Sequence, residues 1–237
     1  MIGNTCRSRQ VLSMKVLIFG ATGMVGQGVL RECLLASDVE TVVTVVRTPS
    51  GTRHVKLAEL RHEDFFDYTA VEANLKGFDA CFFCIGTTVA GKTEAEYTRM
   101  TYDLTMAAAT ALVRLNPGMT FVYVSGAGAD SSEKGSVMWA RVRGRLENAL
   151  LRLPFKAVYV LRPGIIQPLH GARSKTDSYR VLYAVMTPVL PLLRAMFPKS
   201  LVTTESIGQA MLEIARNGWS KSVLPASEIT AAAARKR

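Results

Sequence analysis

The stretch Lys15-Val-Leu-Ile-Phe19-Gly20-Ala-Thr22-Gly23-Met24-Val25-Gly26 decides the fold. Lys15 to Phe19 is a short apolar run closed by glycine, the pattern of a buried strand. From Met24 to Leu35 the apolar residues Val25, Val29, Leu30, Cys33 and Leu34 recur at helical spacing. Between strand and helix, Gly20 permits a sharp turn, Gly23 leaves room for close approach and Gly26 lets the helix pack on the sheet. The unpaired amides at such a helix start attract an anion, and the helix dipole adds to the attraction. The context predicts a pyrophosphate seated on Gly20, Thr22, Gly23, Met24, Val25 and Gly26.

Working outward, Glu40 to Val46 is rich in valine and threonine and predicts a second buried strand. Phe78 to Ile85 predicts another. Thr93-x-x-Glu96 has the form of a capping box. It precedes a helical pattern of Met100, Leu104, Ala107, Ala108, Ala111, Leu112 and Leu115 that ends at Asn116-Pro-Gly118. Thr120 to Val124 and Lys156 to Leu161 read as strands; Ser136 to Leu151 and Thr204 to Asn217 read as helices. Buried strands alternating with amphipathic helices predict an α/β fold: a Rossmann, doubly wound parallel sheet with helices on both faces. A small C-terminal lobe is expected from about 164 to 200, over the carboxyl ends of the strands where ligands of such sheets bind. Residues 1–13 read as an extension, 14–226 as one domain and 227–237 as a basic tail.

Hydrophobic residues make up 49% of the 237, enough for a large core, and the formal net charge is +10. The basic residues are dispersed as Arg47/Arg53/Lys56, Arg141/Arg143/Arg145 and Arg235-Lys236-Arg237, with no nucleic-acid motif beside them. That argues for a solvated basic surface and against a nucleic-acid partner. The longest uncharged apolar stretch, Val181 to Leu193, contains Pro188 and Pro191 and is shorter than the roughly 20 residues of a membrane span. It hints at an apolar small-molecule substrate; contact with a membrane surface is the weaker alternative. Cys81 and Cys84 lie in a strand-like run where residues three apart face opposite ways, and no second ligand pair accompanies them. His54, His62 and His170 are scattered, so no metal is expected. Reduced thiols and the lack of an apolar signal core lead to an expected cytoplasmic location. Oligomeric state is not legible.

The second strand ends in Arg47-Thr-Pro-Ser50, where an acid would bind the ribose hydroxyls of NAD and an arginine accommodates the extra phosphate of NADP. The forked guanidinium of Arg47 therefore favours NADP(H) over NAD(H).

These pieces resemble the atypical (extended-type) short-chain dehydrogenase/reductase superfamily. Within it they resemble the small NAD(P)-binding, epimerase-like proteins, from Met14 to about Ala226. The resemblance implies that Asp64 and Phe65 contact the adenine and that Cys84-Ile85-Gly86-Thr87 passes under its ribose. It further implies that Ser125 is the catalytic serine and that the turn Arg162-Pro163-Gly164 meets the nicotinamide end. The family places a tyrosine and a lysine four residues apart on the next helix. Here Trp139 and Arg143 stand in those positions. Arg143 can keep the ribose contact and a catalytic positive charge, whereas an indole N–H donates without titrating near neutral pH.

Two readings follow. One is an NADP-dependent oxidoreductase or epimerase acting on a small carbonyl or hydroxyl compound. Its proton donor would be relocated to Tyr97, Tyr102, Tyr179, Tyr183, His170, Lys175 or a water held by Ser125. The other is a catalytically silent NADP(H)-binding regulator or scaffold.

Overall fold

The computed structural model describes residues 13–172 and 201–235. β1 (Met14–Phe19), β2 (Val39–Val46), β3 (Leu57–Arg61), β4 (Ala80–Phe83), β5 (Thr120–Val124) and β6 (Ala157–Arg162) are parallel strands of one sheet. A further strand, Val223–Pro225, completes it, and the spatial order is β3-β2-β1-β4-β5-β6 with that strand outermost. The strand sides of β1, β4 and β5 are almost wholly buried, which accounts for their lack of polar alternation. The chain's direction of growth across the sheet reverses between β1 and β4, and the crevice opens at that switch.

α1 (Met24–Leu35) covers one face of the sheet, together with the helices Thr204–Asn217 and Ala226–Ala234. α2 (Glu94–Thr98), α3 (Leu104–Leu115) and α4 (Met138–Leu151) cover the other. We number the remaining elements β7 (Ile165–Gln167), β8 (Leu201–Thr203), α5 (Thr204–Asn217), β9 (Val223–Pro225) and α6 (Ala226–Ala234). Cys81 packs in the cluster on the α3 side and Cys84 against the cluster on the α1 side, as the strand pleat requires.

Three features depart from the sequence reading. The helix after the capping box is interrupted: the box forms at Thr93 and Glu96, but a π turn at Arg99–Asp103 separates α2 from α3. β9 is an additional strand at the sheet edge, three residues long and so without a strong apolar signature. The segment expected as a basic tail is instead mostly α6, which buries Ile229 and Ala232 against α5. Its alanine-rich sequence hides two core positions behind a basic ending. Of the expected lobe, β7 pairs with β8, while residues 173–200 lie outside the described residues, with Lys175, Tyr179, Tyr183 and the Val181–Leu193 stretch.

α1 and α5 approach closely because position 28 lacks a side chain. A Cβ on Gly28 would stand 2.6 Å from Thr204 Cβ. Overpacking a close contact of this kind costs about 1–3 kcal/mol. Gly28→Ala is therefore expected to lower the unfolding free energy by that margin, read as a lower urea midpoint at an unchanged m-value, and an unaltered midpoint would show that the two helices are not held at this distance.

Candidate functional site

The cavity at the β1/β4 switch has a volume of about 790 Å³. Its floor is the glycine loop. Gly20 has φ 77°, a left-handed conformation, and a Cβ there would lie 2.8 Å from the backbone of Cys84 and Ile85. Gly23 donates its amide to Gly20 O at 3.0 Å and caps α1 without any side-chain bond. The first-turn amides of α1 thus remain open, with no acid in that turn. Gly26 does not line the cavity. It sets the distance between helix and loop, since a Cβ there would meet Gly20 O at 2.0 Å.

Around this floor the fold gathers Thr22, Met24, Val25, Arg47, Asp64, Phe65, Ile85, Gly86 and Thr87, as the sequence reading expected. Asp64 accepts the amide of Phe66 at 2.9 Å, which shapes the loop after β3. Phe65 is pinned edge-on to Phe19 at 6.3 Å. Arg47 stands exposed at the end of β2 with no ion-pair partner among the described residues. Cys84, whose thiol burial pushes up to about 12, also faces the cavity.

Met100 and Leu104 form a wall that the sequence reading missed. They were read as the core face of one continuous helix. The π turn inserts a residue there and leaves Met100 at 39% exposure on the rim. Glu63 and Phe66 were also missed, although they flank Asp64 and Phe65 in sequence.

Ser125, Arg143, Pro163 and Gly164 do not line this cavity; they belong to a second cluster at the ends of β5 and β6. The Ala127 amide donates to Pro163 O at 2.9 Å and ties the two strand ends together. Ser125 Oγ donates to Glu147 Oε1 at 2.5 Å, and Glu147 is only 1% exposed. The same carboxylate accepts Arg162 Nε at 3.0 Å and is also bonded to Arg162 Nη2. Arg162 donates in turn to Ser131 Oγ at 2.6 Å. The serine proton is therefore committed to a buried ion pair.

Four residues upstream, Arg143 Nε donates to Tyr97 Oη at 3.0 Å. The indole of Trp139 packs over Gly128, where a Cβ would sit 3.2 Å from its ring. Of the other relocated-acid candidates, Tyr102 lies under Arg145 at 5.0 Å, and His170, exposed, is bonded to Glu205 at 2.6 Å.

Residues 20–152 match the model of a family described as NAD(P)H-binding. A protein of Scheffersomyces stipitis named "Protein FMP52-1, mitochondrial" is 29% identical over 65% of this chain and 67% of its own length. "Protein FMP52, mitochondrial" of Debaryomyces hansenii is 30% identical over 69% of this chain and 70% of its own. Among solved structures, a short chain dehydrogenase family protein from Francisella tularensis superposes with a TM-score of 0.66. It is 14% identical and covers 93% of this chain and 99% of its own, a likeness of fold. These matches bear out the resemblance to short-chain dehydrogenases/reductases and the Rossmann architecture. They correct the expected cytoplasmic location, since both relatives are named mitochondrial. That expectation rested on missing an apolar signal core, a mark of secretion only, and on thiols that packing protects in any compartment.

Glu147 is the residue on which the second cluster turns. Removing one partner of a buried pair typically costs roughly 3–5 kcal/mol, because the other charge is left unmatched. Glu147→Ala should destabilise by that amount in a denaturant melt and Glu147→Gln by less; a loss below about 1 kcal/mol in the alanine variant would place the pair in the range of exposed ones.

Proposed function

The chain belongs to the NAD(P)H-binding family, and on that premise we propose that it is an NADP(H)-preferring oxidoreductase of the short-chain type, acting on a small carbonyl or hydroxyl compound. The observation that carries the cofactor preference is Arg47: a guanidinium on the rim of the cavity, at the end of β2, with no ion-pair partner among the described residues. A 2′-phosphate there would take two of its forked donors. Gly20, Thr22, Gly23, Met24 and Val25 would receive the pyrophosphate, and Asp64, Phe65, Ile85, Gly86 and Thr87 the adenosine. The bound cofactor supplies or accepts hydride; the protein's own task is to orient the partner and exchange a proton.

Trp139 cannot perform that exchange. Tyr97 accepts a hydrogen bond from Arg143 and is only 1% exposed, so its hydroxyl serves to hold that guanidinium. Ser125, whose proton is given to Glu147, is left to accept hydrogen bonds or to hold the strand end. This last observation also favours a second reading, a cofactor-binding regulator that does not turn over. The names of the relatives support a mitochondrial location.

Titration with NADPH and NADH, followed by a carbonyl screen for NADPH consumption, separates these readings. NADPH is expected to bind at least tenfold more tightly, about 1.4 kcal/mol, and Arg47→Asp to erase the difference. Equal affinities in the unmodified protein would sink the Arg47 argument; tight binding without consumption of NADPH favours the regulator.

A further inference from the structure

At the ends of β5 and β6 two guanidinium groups lie near one buried carboxylate, and only Arg162 is bonded to it. The oxygens of Glu147 are taken by Ser125 and Arg162, so that pair is internally matched. Arg143 sits one turn before Glu147 on α4, half-buried, with Nε on Tyr97 and no acid of its own among the described residues. Neither of its Nη groups has a hydrogen-bond partner there. Tyr123 lies beside it but does not offset the charge. Burial raises the Tyr123 pKa, outweighing the opposite pull of Arg143, so the phenol is neutral near pH 7.

The cluster thus holds one positive charge in excess in a partly desolvated place, an arrangement that favours an anion. The backbone makes room for the guanidinium itself: a Cβ on Gly126 would lie 2.8 Å from Arg143 Nη1. Trp139, one turn away on the same helix, sets its indole over Gly128.

We propose that Arg143 is an oxyanion-binding residue, and that the small molecule taken up beside the cofactor carries a carboxylate or phosphate group gripped by its two Nη groups. A guanidinium offers parallel donors matched to two oxygens, which the family's lysine does not. The proposal rests on the preceding reading only in placing this molecule next to the nicotinamide end.

The test is isothermal titration of the protein, with and without saturating NADPH, using benzoate and inorganic phosphate as separate probes. Wild type is expected to bind one of them saturably, and that arm identifies the anion as carboxylate or phosphate. Arg143→Gln should weaken that binding at least tenfold. Arg143→Lys, which keeps the charge and loses the fork, should weaken it at least threefold and serves if the glutamine variant fails to fold. Failure of both probes to bind wild type, or undiminished binding in both variants, overturns the proposal. A tenfold loss of NADPH affinity with anion binding intact overturns it too, in favour of a ribose contact. Anion binding without NADPH binding would instead sink the cofactor reading and leave the Arg143 site standing.

Discussion

The contact between Gly26 and Gly20 governs the geometry of the site. Any side chain at 26 would occupy the space of the Gly20 carbonyl, so α1 rests directly on the loop that feeds it. That closeness aims the first-turn amides of α1 at the cavity and leaves Gly20 in a left-handed turn against the end of β4. The opposite side of α1 is held with similar tightness where Gly28 meets Thr204. A helix fixed on both sides presents its amides at a set height and angle. This is the preorganisation that phosphate recognition exploits.

Two cationic positions divide the remaining electrostatics. Arg47 is exposed, so its field is screened by salt and its worth lies in geometry, in forked donors at a strand end. Arg143 is half-buried among tyrosines, where screening is weak and an unmatched charge has larger consequences. The buried ion pair of Glu147 and Arg162 lies between the strand ends and holds their spacing. Removing it would release the turn at Pro163, whose carbonyl bonds back to Ala127.

The parts of this arrangement that are local in sequence were legible there. The glycine loop, the capping box at Thr93 and Glu96, and Arg47 at a strand end each rest on neighbours a few residues apart. So does the alternation that produces a doubly wound sheet. What remained hidden depends on long-range partners. Glu147 is four residues from Arg143, the spacing of a helical ion pair, yet the fold gives it to Arg162 and Ser125 instead. Met100 looked like core until a π turn rotated it onto the cavity rim. β9 is three residues long and five of the nine residues of α6 are alanine, so neither carries a strong periodic signal.

The pairing of α1 with α5 also dictates an order of events during synthesis. Glu32 reaches Gln209, and Asp38 is gripped by Arg216 through two bonds of 2.7 Å, across 177 and 178 residues. A nascent chain emerging from the ribosome therefore carries α1 with one flank bare until α5 has been made. The strands from β1 to β6 can assemble earlier, but α1 gains its second wall only once α5 follows them. A ribosome stalled before Thr204 would hold a sheet whose glycine-loop helix still lacks that wall.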